Sequence, residues 1–177
     1  METNARLYTL NFDEVRTYLV SALFIVANLL LPQLAHLIPQ GGVILAPLSL
    51  VMLVGAYKFG WKAAVLAAVV SPLVNHALTG LPAWGVLPVM TIKLMVLALT
   101  AGLVAQRTKK VSIPLLVAVV LGAEVLGGLG ELLLTGGIAM TTADFIIGWP
   151  GLLLQVVAGY GLLKIGAPSL RHDDMSI

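Results

Sequence analysis

The apolar run over residues 113–136 constrains this chain most, because it carries two glutamates with glycines between them. A run of this length and composition is typical of a helix that crosses a lipid bilayer, where an ionised carboxylate facing the lipid costs several kcal/mol. Residues seven apart share one face of a helix, so two glutamates and two glycines form a single stripe: Glu124, Gly127, Gly128 and Glu131. This stripe must face protein or water, and either a neighbouring helix or a ligand is expected beside its glycines.

The composition of the whole chain also predicts an integral membrane protein. Of its 177 residues 59% are hydrophobic and 10% are charged, with a mean hydropathy of +1.03, which lies outside the range of soluble globular domains. The apolar runs predict an all-α fold, a compact bundle of six transmembrane helices over residues 16–37, 43–59, 63–78, 85–106, 113–136 and 143–165. These helices form one domain, 16–166, between an N-terminal segment, 1–15, and a C-terminal tail, 167–177.

The basic residues lie almost entirely on one side of the predicted bundle. All but one of the 10 lysines and arginines precede the first run or follow the second, fourth or sixth: Arg6, Arg16, Lys58, Lys62, Arg107, Lys109, Lys110, Lys164 and Arg171. Because cytoplasmic connections are enriched in lysine and arginine, the N-terminal segment and the C-terminal tail are both predicted to be cytoplasmic. This topology explains the net charge of +2, which does not indicate a nucleic-acid partner.

The remaining basic residue, Lys93, lies inside the fourth run. Counting about 1.5 Å of rise per residue from the outer helix ends places it between Glu131 and Glu124 in depth. An ion pair with either glutamate is expected, because pairing lowers the cost of burying both charges. The other carboxylate is then free, protonated or directed at a ligand. A purely structural ion pair is the alternative.

Further polar and aromatic residues fall in the outer half of the predicted bundle, which indicates a pocket that opens outward and is closed toward the cytoplasm. They are Asn28, Asn75, His76, Trp84, Asp144 and Trp149, whereas the inner half carries only Gln155. The predicted substrate-binding set is Lys93, Glu131, Glu124, Trp84, Trp149, Asn75 and His76. Two alternatives stay open: Trp84 belongs to an interfacial aromatic belt, and the polar pair at 75 and 76 caps the end of the third helix.

The sequence contains no motif for catalysis or for ATP hydrolysis. It lacks G-x-S-x-G, H-E-x-x-H and the P-loop pattern G-x-x-x-x-G-K-[ST], and its histidines, at 36, 76 and 172, do not have metal-ligand spacing. An enzyme, a metal centre and a cofactor are therefore not expected, and His36 is expected to be a surface loop residue. If the protein moves a solute uphill, the energy must come from an ion gradient or from another subunit.

Small residues repeat at four-residue spacing in the third run, at Ala63, Ala67 and Ser71. The alanines at 64 and 68 widen the same face. A smooth face of this kind lets a second helix approach closely. It is either a docking surface for another protein or packing inside the bundle.

Four passages of the chain carry a family resemblance: the Pro-Gln-Gly-Gly loop after the first run, APLSLVMLVGAYKFGWKAA, NHALTGLPAWGVLP and LGAEVLGGLGELLLTGG. With the six-run pattern they resemble the substrate-binding S-components of energy-coupling factor (ECF) vitamin transporters, which are small bacterial proteins with six helices. The resemblance covers essentially the whole chain and is one of architecture. It implies a bacterial inner (cytoplasmic) membrane location and capture of a vitamin-like substrate from outside. It also implies partnership with a transmembrane coupling subunit and two ATPase subunits.

Many members of that family dock onto the coupling subunit through small residues at Ala-x-x-x-Ala spacing on the first helix. Here the first run offers Thr17 and Ser21 at that spacing, while the alanine ladder lies in the third run. Both runs are therefore docking candidates. For the binding site the resemblance implies only positions in the later helices: Trp84, Lys93, Glu124, Glu131 and Trp149.

The leading interpretation is a binding subunit for a small, water-soluble, heteroaromatic vitamin or precursor. The two tryptophans of the predicted set would stack on its ring, Glu131 and Asn75 would bond to its edge, and Lys93 would meet an anionic group or hold Glu124. One alternative is a stand-alone or proton-coupled permease in which the lysine and the two glutamates form the relay. A second alternative is a structural membrane scaffold whose polar residues only join helices.

Overall fold

The computed structural model describes residues 3–4, 10–35, 37, 39 and 41–165. Within them the fold is helical, as the sequence predicts, with helices α1 (Val15–Ala35), α2 (Gly41–Leu45), α3 (Pro47–Phe59), α4 (Trp61–Thr79), α5 (Leu87–Thr108), α6 (Ile113–Thr135), α7 (Ala139–Ile146) and α8 (Trp149–Ile165). The two-residue strands β1 (Thr3–Asn4) and β2 (Lys110–Val111) pair antiparallel. The predictions for Arg6, His36, Arg171 and the tail at 167–177 lie outside the described residues.

Four of the described helices, α1, α4, α5 and α6, are long and apolar enough to cross a membrane. The helices α7 and α8 pass the same test only together, because they meet at a bend of 68°. The apolar helix α3 has 13 residues, about 20 Å of helix against the roughly 30 Å of a bilayer's hydrocarbon core. The protein is thus a multi-pass membrane protein, with five spans in its described part if the bent pair is one span. The count of six and the orientation of the termini stay predictions.

Two of the predicted runs are interrupted next to a proline. In the second run, α2 and α3 are separated by Ala46, whose φ of 42° lies in the left-handed region, and Pro47 begins α3. In the sixth run the sequence indicates an interruption at Pro150 and Gly151, but the break lies at 147–148 and α8 begins at Trp149. Proline is tolerated in the first turn of a helix because the missing N–H has no partner there, so each proline marks a helix start.

The short helix α3 lies at the centre of the bundle. It packs against α1, α4, α5 and α8, and α6 packs against α5 and α8. The inner side chains of α3 are buried, among them Met52, Leu53 and Tyr57. Large apolar side chains are exposed on α1, α6 and α8, including Leu23, Leu30, Leu133 and Val157. An apolar outer surface of this extent suits the acyl chains of a bilayer.

The ladder of small residues in α4 lies inside the bundle, against α1. Ala63, Ala67 and Ser71 are fully buried, and Thr17 and Ser21 on α1 are buried as well. The Ser21 hydroxyl donates to the carbonyl oxygen of Ala63 at 2.9 Å. Of the two interpretations of this ladder, packing within the bundle is what the structure shows. The five residues offered for docking are covered by the chain itself.

One end of the bundle carries the basic connections. Pairing of β1 with β2 joins the chain before α1 to the α5–α6 connection. Lys62 donates to the side-chain oxygen of Asn11 at 2.7 Å, and the Tyr57 hydroxyl donates to the carbonyl oxygen of Lys110 at 3.0 Å. These bonds attach the α3–α4 turn to both neighbouring segments. Arg16, Lys58, Lys62, Arg107, Lys109 and Lys110 therefore lie at the same end, as the sequence predicts for one membrane face.

The start of α4 lies directly on α5 at Gly102. A Cβ atom on Gly102 would lie 2.6 Å from the backbone nitrogen of Trp61, closer than real Cβ contacts. The variant Gly102→Ala is therefore expected to force α4 and α5 apart. We expect it to lower the free energy of unfolding by about 1–3 kcal/mol, the usual cost of overpacking, measured as a lower thermal unfolding midpoint in detergent.

The matched control for this prediction is Gly122→Ala in α6. Gly122 also lies within a helix, but a Cβ atom there meets nothing within 4 Å. Alanine favours a helix over glycine, so the midpoint of the control is expected to stay or to rise slightly. Equal midpoints for the two variants would contradict the close contact at Gly102.

Candidate functional site

A cavity of about 340 Å³ lies within the bundle. Thr79, Leu81 and Pro82 are part of its lining, which places it toward the α4–α5 connection and away from the basic end. Most of the lining is apolar, and its polar side chains are Gln33, Ser49, Asn75, Thr79, Lys93, Glu124, Asp144 and Gln155. Small-molecule sites commonly have volumes of about 300–1,000 Å³ and an apolar lining with a few placed polar groups. The cavity therefore has the size and chemistry of a site for a small molecule.

Glu131 on α6 is buried, 2% exposed, and its carboxylate bonds to the first turn of α7. One oxygen accepts from the backbone N–H of Met140 at 2.7 Å. The other accepts from the backbone N–H of Thr141 at 2.9 Å and from its hydroxyl at 2.7 Å. The first turn of a helix leaves such N–H groups without internal partners, and a carboxylate there also interacts favourably with the helix dipole. Glu131 is thus an N-cap of α7 supplied by a neighbouring helix.

Lys93 on α5 joins carboxylates of two other helices. Its Nζ lies 2.8 Å from Oδ2 of Asp144 on α7 and 3.3 Å from Oε2 of Glu131 on α6. The side chain of Lys93 is 12% exposed and that of Asp144 is 30% exposed, so the cluster is largely removed from solvent. In such a cluster, loss of one partner leaves the others without compensation. Of the two glutamates considered for the ion pair, Lys93 pairs with Glu131, and Asp144 is an additional partner.

The glycines of the α6 stripe are covered by protein. A Cβ atom on Gly127 would lie 2.9 Å from Cγ of Lys93, and one on Gly128 would lie 2.8 Å from Oγ1 of Thr141. The missing side chains let Lys93 lie along α6 and let α7 approach it closely. The sequence leaves open whether a neighbouring helix or a ligand lies beside these glycines. In the structure the neighbouring helices α5 and α7 lie there.

Two side chains that border the cavity carry buried polar atoms with no hydrogen-bond partner among the described residues. One atom is Oε2 of Glu124 on α6, and the others are Oε1 and Nε2 of Gln155 on α8, a residue that is 1% exposed. Leaving a buried polar atom unpaired costs about 1–3 kcal/mol. Glu124 and Gln155 are therefore buried groups that a molecule in this cavity can bond, beside the more exposed side chains of Gln33 and Ser49 in the same lining.

Asn75 and His76, adjacent on α4, have different surroundings. Asn75 borders the cavity, and its amide donates to the carbonyl oxygens of Asn28 at 2.9 Å and Ser71 at 3.0 Å. The side chain of His76 is not part of the cavity lining, and its Nδ1 lies 2.8 Å from the carbonyl oxygen of Pro82. Asn75 thus joins α4 to α1 beside the cavity, and His76 bonds to the α4–α5 connection.

The two tryptophans of the predicted set lie at the surface. Trp84 is 72% exposed and packs against the ring of His76, with 5.2 Å between ring centroids. Trp149 is 56% exposed at the start of α8. Neither borders the cavity, so neither ring is placed to stack on a molecule there. Exposed tryptophans near helix ends are typical of the interfacial belt of a membrane protein.

Asp144 and Gln155 border the cavity but were not in the predicted substrate-binding set. Both are polar residues within the sixth apolar run, and polar residues inside a membrane segment are a signal of function. Both residues reach the cavity because the sixth run bends between α7 and α8. Asp144 lies before the break and bonds to Lys93 from α7. Gln155 lies after the break and borders the same cavity from α8.

In the described part of the chain, no three histidine, aspartate or glutamate side chains are arranged to hold a metal ion. No model of a known protein family matches the sequence, and neither a curated protein nor a solved structure matches it significantly. Function is therefore inferred from the geometry and chemistry of the cavity.

The variant Gln155→Met is expected to stabilise the protein. Methionine has a similar length and removes two buried polar atoms that have no hydrogen-bond partner in the part of the chain that the structure describes. We expect the free energy of unfolding to rise by about 1 kcal/mol, seen as a higher thermal midpoint in detergent. Binding of a molecule in the cavity is expected to weaken at the same time.

Gln106→Met is the control for this variant, because Gln106 lies near the end of α5, outside the cavity lining. Its effect on stability is expected to stay within about 0.5 kcal/mol, the usual range for a substitution away from special contacts. A lower midpoint for Gln155→Met than for the control would mean that the Gln155 amide is satisfied within the protein.

Proposed function

We propose that this protein is the substrate-binding membrane subunit of an ECF-type ABC importer. It spans a bacterial inner (cytoplasmic) membrane six times, with both termini in the cytoplasm, and the pairs α2–α3 and α7–α8 are each one broken span. It captures a small, water-soluble vitamin or vitamin precursor from the outer side. A transmembrane coupling subunit and two ATPase subunits then move this cargo into the cell.

The observation that carries this proposal is the cavity inside the bundle, about 340 Å³ in volume and mostly apolar in its lining. The buried polar atoms of Glu124 and Gln155 that border it have no partner among the described residues. Such atoms lower the stability of the protein, and a binding site explains why they are present. A scaffold that only joins helices would gain nothing from them.

The position of the cavity supports capture from outside. The cavity lies toward the α4–α5 connection, whereas the described basic residues other than Lys93 lie at the opposite end. If the enrichment of lysine and arginine marks the cytoplasmic face, the cavity belongs to the outer half of the membrane. The sequence has no P-loop of its own, so ATP-driven uptake requires ATPase partners.

The test is purification of the tagged protein from membranes of its native host in a mild detergent. We expect a second integral membrane protein and P-loop ATPases to copurify in fixed stoichiometry. After reconstitution into liposomes, this complex is expected to take up the cavity's ligand only when ATP is present on the ATPase side. ATP-independent uptake by the reconstituted chain alone would contradict the proposal.

A proton-coupled carrier is the second candidate, and the cluster of Lys93, Glu131 and Asp144 favours it. Ionisable residues within membrane helices form the proton relays of many transporters. Uptake by liposomes that contain only this chain, driven by a pH gradient and lost in Asp144→Asn, would support the carrier. Copurification of wall-synthesis proteins without an ATPase would instead support a scaffold.

A further inference from the structure

We infer that the cavity takes a cationic molecule: one with a protonated, N–H-bearing nitrogen and an apolar body, with Glu124 as its counter-ion and Gln155 as its second hydrogen-bond partner. The inference rests on the proposed function only in taking the cavity as the substrate site. It concerns the charge of the ligand, because the lysine and the two glutamates in the sequence suit a zwitterion, an anion or a cation equally.

The charge balance of the cavity is acidic. Among the described residues in and around its lining, the ammonium group of Lys93 stands with three carboxylates, those of Glu124, Glu131 and Asp144. Even with one carboxylate protonated, this cluster keeps a net negative charge. Charges interact more strongly in a low-dielectric cavity than in water, so the cluster favours a cation and disfavours an anion.

The charge of Lys93 is already neutralised by two carboxylates. Its ammonium already pairs with Asp144 at 2.8 Å and Glu131 at 3.3 Å. An anion that bonds the third N–H of this ammonium lies beside both carboxylates and is repelled by them, and an anion that displaces one of them leaves it unpaired in a largely desolvated site. Displacing Glu131 would also disturb the N-cap of α7, since the same carboxylate bonds to Met140 and Thr141.

Glu124 and Gln155 offer buried hydrogen-bonding groups to the ligand. The Glu124 carboxylate offers only acceptors when ionised, which suits an N–H group, and a charged N–H most of all. The Gln155 amide offers one acceptor oxygen and two donor hydrogens, so it can bond a ligand that carries either. Both side chains border the same cavity, from α6 and from α8.

The rest of the lining defines the body of the ligand. Leu48, Leu94, Leu97 and Leu152 are apolar, and Met90 adds a thioether, whose sulfur packs well against aromatic rings. No described lining residue is aromatic. A flat or compact apolar group is therefore expected to fill the space beside the acidic cluster.

Three isosteric probes test this inference on the full-length protein in detergent: benzamidinium, which is cationic, benzamide, which is neutral, and benzoate, which is anionic. Dissociation constants are measured by isothermal titration calorimetry or, for weak binding, by saturation-transfer NMR. We expect benzamidinium to bind at least about tenfold more tightly than benzamide, because a charge-assisted bond is about twice as strong as a neutral one. Benzoate is expected to show no saturable binding.

A pair of variants then tests the role of Glu124. Glu124→Gln is expected to lower the affinity for benzamidinium about tenfold and to change that for benzamide less than threefold. Asp13→Asn is the matched control, because it removes an exposed carboxylate before α1, outside the cavity lining, and its affinities are expected to equal those of the wild type. If Glu124→Gln does not fold, the order of the three probes on the wild type is still decisive.

The inference is overturned if benzoate binds as tightly as benzamidinium, if benzamidinium shows no saturable binding, or if Glu124→Gln keeps the preference for the cation. These outcomes can be distinguished from a failure of the importer proposal, because the two proposals are tested by different measurements. A cation-selective cavity in a chain that copurifies with no ATPase would support this inference and contradict the importer, and an ATPase partner with an anion-selective cavity would do the reverse.

Discussion

Replacing Lys93 with methionine is expected to destabilise the protein more than any other single substitution in the cavity. The change removes the ammonium that lies between Asp144 and Glu131 and leaves both carboxylates in a largely desolvated site. Breaking a buried ion pair from one side typically costs about 3–5 kcal/mol. We expect a marked fall in the thermal unfolding midpoint in detergent and poor recovery of folded protein.

Lys164→Met is the control for this prediction, because Lys164 is an exposed lysine near the end of α8. Its midpoint is expected to stay close to that of the wild type. The double variant Lys93→Met with Asp144→Asn is expected to regain part of the stability, since directly interacting residues are not additive. A midpoint for Lys93→Met equal to that of Lys164→Met would contradict the ion-paired cluster.

The second large effect is expected from Glu131→Ala, which removes the N-cap of α7. The variant loses three hydrogen bonds, from the backbone N–H groups of Met140 and Thr141 and from the Thr141 hydroxyl. It also loses one of the two carboxylates at Lys93. Loss of a capping side chain costs about 0.5–2 kcal/mol, and loss of a partner in a buried ion pair costs more. We expect α7 to open locally, measured as faster amide hydrogen exchange over residues 139–146.

Glu124→Ala is the control for this experiment, since it also removes a carboxylate from α6, but one whose Oε2 has no hydrogen-bond partner among the described residues. Exchange over 139–146 is expected to stay at the wild-type rate in this control. Unchanged exchange of the amides of Met140 and Thr141 in Glu131→Ala would mean that α7 does not depend on the cap.

The long helices were predictable from the sequence because their signals are local. Apolar runs fix α1, α4, α5 and α6 to within a few residues, and glycines at 80 and 136 end α4 and α6 with positive φ values of 74° and 73°. The break at 46 was not predicted, and the break in the sixth run was predicted at Pro150 and Gly151 but lies just before them, at 147–148. An apolar run has the same composition whether it is one helix or two, and a proline marks a helix start as readily as an interruption.

The sequence predicts which charged residues lie in the candidate site, but it does not predict which of them contact each other. The positions of Lys93, Glu124 and Glu131 within apolar runs show that they lie inside the bundle, but depth counting along separate helices does not decide which groups meet. Asp144 reaches Lys93 because α7 is a separate helix that Glu131 caps. The sequence also gives no direction for Trp84, whose ring lies outside the cavity because the α4–α5 connection holds it at the surface.

Mass spectrometry of the small molecules released when the purified protein is denatured tests most directly whether the cavity is a substrate site. Two variants on neighbouring positions of α8 make the test specific. Leu152→Trp places a large side chain in the cavity, whereas Leu153→Trp places the same side chain on the outer surface, where Leu153 is 53% exposed. We predict a stoichiometric vitamin-like compound in the wild type and in Leu153→Trp, and its loss in Leu152→Trp. Equal amounts of compound in both variants, or none in the wild type, would contradict the assignment of the cavity as the binding site.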